Sequence, residues 1–178
     1  GKQVLVATGT KTLQHQAMYK DVPQLRRVLG LDQEELRVKR LVGASNHWCE
    51  LLFRQSVDEE DLLFSARGFE ENFTDMFFEL VFYHNSRFDA DAWILRDELP
   101  FVFKRKFNSF KDRDKDNAVD YRSCTGNSCP FKNDCTYIRG LREAKEADIV
   151  IGNHALMFTW PRAFPRPEHI VVDEAHKI

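Results

Sequence analysis

Two groups of residues in this 178-residue chain have the types and spacing to do chemistry. The first is Asp173-Glu174-Ala175-His176, which follows the apolar run Ile170-Val171-Val172. Read as a parallel strand, that run places two adjacent carboxylates at its C-terminal end, where open α/β sheets gather ligand chemistry. Such a pair suits hydrolysis of a nucleoside triphosphate: one carboxylate holds Mg²⁺, and the other orients the attacking water against the γ-phosphate. Alternation along an extended chain turns the two side chains apart, which separates the roles. An acidic strand end leading into a helix N-terminus is the plainer explanation. The tetrapeptide arises by chance in a chain this long only roughly one time in a thousand at average residue usage, and its placement after a strand favours the chemical reading. Such a site also needs a glycine-rich loop ending in Gly-Lys-Ser/Thr, set between a strand and a helix. Gly1-Lys2 is followed by Gln3 and a strand, and no other candidate is present. As given, the chain is not expected to bind ATP in the usual way.

The second group is Cys49 and, 74 residues further on, Cys124-x4-Cys129-x5-Cys135. The last three sit among the turn formers Ser123, Gly126, Asn127, Ser128, Pro130, Asn133 and Asp134, as expected where backbone wraps a compact ion or cluster. Nothing at the N-terminus resembles a signal peptide, so a reducing cytosol is the expected setting, and clustered cysteines there are more often metal ligands than disulfides. Four thiolates fit tetrahedral zinc or a cuboidal [4Fe–4S] cluster. Zinc ribbons favour Cys-x2-Cys knuckles, and neither gap has that length, so the larger cluster is the better fit. Unrelated buried thiols are the third reading, and a polar loop suits it poorly.

The elements that must position these groups are of two styles. Val4-Leu5-Val6-Ala7, Ile149-Val150-Ile151-Gly152 and His169-Ile170-Val171-Val172 are short apolar runs. They read as parallel strands buried on both faces, with helices packed on either side. Thr10 or Thr12 can cap a helix carrying Leu13, Gln16 and Ala17. Residues 43–140 read as mainly helical. Phe69, Phe73, Phe77 and Leu80 mark one apolar face there, with Glu70, Glu71, Asp75 and Glu79 between them. The expected architecture is an α/β parallel-sheet domain (1–42 and 141–178) interrupted by a helical, cysteine-bearing insertion (43–140).

Hydrophobic residues make up 43% of the chain and charged residues 30%, an ordinary globular composition. No apolar run approaches the roughly 20 residues of a membrane-spanning helix, so no membrane role is expected. Net charge is −2, but this is a cancellation. Residues 50–79 are strongly acidic, whereas Phe101–Lys115 (FVFKRKFNSFKDRDK) interleaves Lys104, Arg105, Lys106, Lys111, Arg113 and Lys115 with Phe101, Phe103, Phe107 and Phe110. Cations that track a backbone and aromatics that stack bases are what single-strand binding requires. The competing reading is a solvated basic face over core phenylalanines. His47, beside Cys49, is expected to be a packed or DNA-facing side chain rather than a ligand.

Taken together, the residues resemble the DinG/XPD family of iron–sulphur superfamily 2 DNA helicases, and the bacterial DinG-like branch in particular. Val4–Gln16 (VLVATGTKTLQHQ) is similar to helicase motif Ia, and Leu41–Cys49 (LVGASNHWC) to the segment with the first cluster cysteine. Cys124–Tyr137 (CTGNSCPFKNDCTY) resembles the loop with the other three, Ala147–Met157 (ADIVIGNHALM) the Asn-His-Ala-Leu element, and Asp173–His176 motif II, the Walker B box.

The resemblance implies a partial RecA-like helicase domain 1 with a [4Fe–4S] domain inserted in it. Cys49, Cys124, Cys129 and Cys135 would be the cluster ligands. It also implies a Mg²⁺-coordinating Asp173, a water-activating Glu174, and His176 coupling nucleotide state to DNA. Thr8, Thr10 and Lys11 would lie along the DNA backbone; independently of the resemblance, the basic stretch offers Lys104, Arg105 and Lys106 as further DNA contacts. The implied parent is a bacterial cytoplasmic ATP-dependent 5′→3′ helicase of the repair or replication type. Its partners would be single-stranded and forked DNA and the rest of the motor. The phosphate loop and the second motor domain are then expected outside these residues, and the chain alone is expected to be inactive. Rival readings are a non-catalytic zinc- or cluster-binding nucleic-acid module and a cysteine-sensing regulatory domain.

Overall fold

The computed structural model describes residues 2–62, 68–100, 105–161 and 164–178, with no account of side chains 59–62. The chain divides into two compact units, one from Gly1–Gly43 with Gly140–Ile178 and the other from Ala44–Arg139.

In the first unit, β1 (Val4–Thr8), β2 (Val38–Arg40), β3 (Ile149–Asn153) and β4 (His169–Val172) form a sheet in the order β2-β3-β1-β4. Every pairing is parallel, and the α/β class expected from the short apolar runs is the one observed. Between β1 and β2 run α1 (Lys11–Gln16), a π-helical turn (Ala17–Asp21) and α2 (Val22–Leu29). Thr10 starts this run: its hydroxyl accepts the Leu13 N–H at 3.3 Å, the N-cap bond that satisfies one orphan donor of a helix start. Gly30 ends it in the left-handed region at φ 68°, and the amides of Gly30 and Leu31 close onto the carbonyls of Arg27 and Arg26.

Strand alternation divides the core of this unit between two sheet faces. Leu5, Ala7 and Val150 pack with Ala144, Ala147, Leu156 and Phe164. Val6, Ile149 and Ile151 pack on the opposite side with Val22 and Val38. The expectation of burial on both faces fails for β4. Ile170 and Val171 are 50% and 53% exposed, because β4 is the edge strand and pairs only with β1 among the described residues. Apolar composition set this run as a strand, whereas its place in the sheet left it open.

The second unit holds α3 (Glu50–Leu62), α4 (Phe69–Arg87) and α5 (Asn108–Asp116) around a core of Trp48, Phe53, Phe78, Val81 and Phe110. Phe78 stacks on Phe53 and Phe110 with centroids 5.6 and 5.5 Å away, and Trp48 meets it edge-on at 5.3 Å, the offset and T-shaped arrangements that aromatic quadrupoles favour. The expected apolar face of α4 is corrected here. Phe69 and Leu80 are 83% and 59% exposed, while Thr74, Phe78, Val81 and Asn85 are buried. The helix carries apolar residues on more than one face, so periodicity alone did not select the buried one. The helix α6 (Thr136–Lys145) follows Cys135, and the short α7 (His154–Phe158) follows β3.

Candidate functional site

The Asp173–His176 box, the expected motif II, stands at the C-terminal end of β4. The Asp173 N–H donates to the Ala7 carbonyl at 2.9 Å, which continues the β1–β4 ladder by one residue. The Asp173 carbonyl accepts from His154 Nε2 at 2.8 Å, and Asp173 Oδ1 accepts the Glu174 N–H at 2.9 Å. Glu174 then adopts φ 52°, ψ 39°, left-handed for a non-glycine residue, a conformation that costs about 1 kcal/mol or more and marks a constrained turn. Its Oε1 pairs with Lys177 Nζ. Its Oε2 is buried without a hydrogen-bond partner and lies against Gly9, where a Cβ would come within 2.5 Å of it. The Lys177 ammonium is the main cause that holds the Glu174 carboxyl below its usual range, with His176 and His154 adding to it. Asp173 also borders a groove of about 690 Å³ whose walls include Val6, Thr8, Leu13, Val28 and Val171. His176 is exposed in the single turn that follows.

The loop after β1 lies beside this turn. Thr8 is buried, and its hydroxyl donates to the Thr10 carbonyl at 3.2 Å. Thr10 and Lys11 are exposed, with the Thr10 hydroxyl engaged as the helix cap.

The four cysteines are free, half-buried thiols of the second unit. Cys49 is brought to the distant loop by a short antiparallel bridge. Its N–H donates to the Asn117 carbonyl at 2.7 Å, and the Val119 N–H donates to the His47 carbonyl at 3.0 Å. A buried polar network anchors that bridge. Asp114 accepts Trp48 Nε1 at 2.9 Å and takes Arg96 bidentately at 2.9 and 3.0 Å. His47 is 3% exposed and bonds Thr136 Oγ1 at 2.8 Å, so it is a packed side chain. The loop is wound by its own amides, which bond Cys124 to the Asp120 carbonyl, Cys129 to Gly126 and Cys135 to Phe131.

Cys49 and Cys135 immediately precede α3 and α6. Burial pushes both thiols up. The amides of Leu52 and Leu51 oppose this at Cys49, and those of Ile138 and Tyr137 oppose it at Cys135. Cys129 and Cys124 add upward pressure on Cys49, while Cys49 and Cys124 do so on Cys135. The four thiols therefore share one electrostatic neighbourhood, and two of them face the N-terminal amides of helices. Among the described residues, no three His, Cys, Asp or Glu side chains are grouped as ligands of a metal ion.

Of the basic stretch, Arg105, Lys106, Lys111 and Lys115 are exposed. Arg113 is engaged by Asp75 at 3.2 Å. Lys104, Phe101 and Phe103 lie outside the described residues. Phe110 is fully buried and Phe107 packs against the core, so these two phenylalanines are packing residues. Among the described residues no helix is long and apolar enough to cross a membrane. Sequence reasoning did not single out the partners of motif II, His154 and Gly9, nor the Trp48–Asp114–Arg96 network. Two signals were available: the Asn-His-Ala-Leu element that contains His154, and the glycine after β1, because a close approach to a backbone needs a residue without a Cβ.

No protein-family model matches the chain. Individual relatives do. It is 31% identical over 189 residues to the ATP-dependent helicase DinG of Mycobacterium tuberculosis, covering 98% of this chain and 27% of that protein. It is 26% identical over 193 residues to the ATP-dependent DNA helicase YoaA of Escherichia coli (99% and 26%). It is also 26% identical over 193 residues to the ATP-dependent DNA helicase DinG of Salmonella typhimurium (99% and 25%). The chain spans about a quarter of the length of these relatives. Likeness along nearly the whole chain, together with an Asp-Glu-Ala-His box at the end of a parallel strand, supports reading it as a DinG-like helicase segment.

Proposed function

We propose that the first unit supplies the motif II side of the nucleotide site of an ATP-dependent 5′→3′ DNA helicase. The observation that carries this is the turn of Asp173 and Glu174 at the end of β4, beside the loop after β1. In this reading Asp173 holds Mg²⁺ and Glu174 orients water. The donor set fits: Asp173 keeps Oδ2 clear of the Glu174 amide that engages Oδ1, and Glu174 Oε2 lacks a hydrogen-bond partner. The cation, when bound, neutralises charge that develops on the transferred phosphoryl group. Asp173 is kept in place by the ladder bond to Ala7, and Glu174 by its turn. Thr10, Lys11 and the exposed Arg105 and Lys106 supply donors and charge for the phosphates of single-stranded or forked DNA.

The second unit, on the same proposal, holds a [4Fe–4S] cluster on Cys49, Cys124, Cys129 and Cys135 and helps to part the duplex. Three features support it: four soft sulfur donors in one neighbourhood, a turn-rich loop around three of them, and helix N-terminal amides facing the sulfurs of two. Four thiolates on one zinc ion at about 2.3 Å would stand only ~3.8 Å apart, whereas a cuboidal cluster spreads its ligands over four corners. Hydrogen bonds from the Leu51, Leu52, Tyr137 and Ile138 amides favour an anionic sulfur and would tune a cluster's potential.

In the complete helicase, Glu174→Gln should retain ATP binding and lose turnover. Retained hydrolysis would remove Glu174 from the role. Anaerobically purified chain should absorb broadly near 400 nm and contain about four irons per chain. Stoichiometric zinc without iron would instead favour a zinc-binding module.

A further inference from the structure

Gly9, His154 and Glu174 meet at one point. The position that a Cβ on Gly9 would occupy lies 2.5 Å from Glu174 Oε2 and 3.5 Å from His154 Cε1. His154 opens α7, whose first turn is fixed separately by the Asn153 side chain accepting the Leu156 N–H at 2.7 Å. The imidazole therefore projects from an anchored helix start. Its contact to the Asp173 carbonyl, at 2.8 Å, makes Nε2 the donor, because a carbonyl oxygen only accepts. With the Asp173 N–H already held by Ala7, this second bond fixes the plane of the Asp173–Glu174 peptide. That plane sets the directions in which the two carboxylates leave the backbone.

We propose that His154 and Gly9 are positioning residues for motif II: His154 orients the Asp173–Glu174 peptide, and the bare α-carbon of Gly9 leaves the space in which the Glu174 carboxylate rests. The proposal builds on the reading of Asp173 and Glu174 as the hydrolytic pair. It adds a direct tie from the Asn-His-Ala-Leu element, and from the loop after β1, to the residue that orients water.

Gly9→Ala is a sharp probe, because the atom it displaces is the far end of a flexible carboxylate rather than backbone. Folding should survive while the carboxylate moves. In the complete helicase carrying this segment, His154→Ala and Gly9→Ala should each lower kcat for ATP hydrolysis about threefold to tenfold, the range expected when one orienting hydrogen bond or contact is lost. KM for ATP should stay within about twofold, since ground-state binding is not the property removed. His154→Gln, whose side-chain amide can also donate, should recover most of the rate. Wild-type kcat in both His154→Ala and Gly9→Ala, a rise in KM alone, or no recovery with Gln would overturn the proposal.

A measurement on the 178-residue chain separates this outcome from the fate of the catalytic reading. Nitrogen-15 shifts of His154 should report the Nε2–H tautomer, and the Glu174 amide should exchange faster in His154→Ala. The Nδ1–H tautomer, or unchanged exchange, refutes the positioning role whatever Glu174→Gln does. Full hydrolysis by Glu174→Gln would overturn the catalytic reading instead.

Discussion

Asp114→Ala should destabilise the second unit by about 3 kcal/mol, and the size follows from what the carboxylate holds. Its Oδ1 accepts both Trp48 Nε1 and Arg96 Nε at 2.9 Å, while Oδ2 accepts Arg96 Nη2 at 3.0 Å. The Asp114 side chain is 11% exposed and that of Arg96 is 18%. Removing one member of a buried ion pair typically costs about 3–5 kcal/mol, because the other charge loses its compensation in a poorly solvated site. Residual exposure of Arg96 brings the estimate to the lower end of that range. The indole N–H, 4% exposed at the residue level, loses its acceptor as well, a deficit of about 1–3 kcal/mol unless water enters, so the figure for Asp114→Ala is a floor rather than a ceiling. Arg122→Ala is the matching control. Its contact with Asp120 is 3.9 Å long between side chains 78% and 55% exposed, and an exposed pair of that kind contributes about 0.5 kcal/mol or less. Urea unfolding monitored by indole fluorescence of the second unit, with Trp48→Phe as assignment for the signal, measures both. A loss below about 1 kcal/mol for Asp114→Ala, or equal losses for the two variants, would refute the claim that this network anchors the Trp48–Ala118 bridge beside Cys49.

Two further outcomes are expected. Arg105→Ala with Lys106→Ala should lower the magnitude of the slope of log affinity against log salt for single-stranded DNA by ~1.4 if each cation meets one phosphate; an unchanged slope in a filter-binding or anisotropy titration removes both from the interface. Asp148 is held below the usual carboxylate range chiefly by the Arg37 backbone N–H, which donates to Oδ2 at 2.9 Å, and further by the Arg37 guanidinium. A lowered folded-state value means that its contribution is fully present above about pH 4, the unfolded value, and is lost as pH falls through the folded value. Thermal melts of wild type and Asp148→Asn should therefore differ at pH 7 and converge in strong acid, and a gap that widens on acidification contradicts the assignment.

Much of the first unit was legible in the chain itself. Short apolar runs gave β1, β3 and β4, two candidate caps, Thr10 and Thr12, bracketed the start of α1, and the position of Asp173 after β4 gave the strand-end location, because strand length, capping and side-chain alternation are local properties. The clustering of Cys124, Cys129 and Cys135 was equally local. What the sequence did not determine is which apolar surface ends up covered. Ile170 and Val171 have core composition and stand open at a sheet edge, and α4 buries Phe78 and Val81 rather than Phe69 and Leu80, because coverage depends on neighbours supplied by distant segments.

The remaining features needed the folded chain for the same reason. The bridge of Trp48 to Ala118 draws Cys49 toward the cysteine loop, and a buried carboxylate pairs with an arginine and an indole far apart in sequence. Residue types fixed what motif II can do. The parallel register of β1 beside β3 and β4 decided what surrounds it, by bringing Gly9 and His154 to Glu174 and Asp173. Chemistry is encoded residue by residue, whereas orientation depends on hydrogen bonds that exist only once the strands are paired.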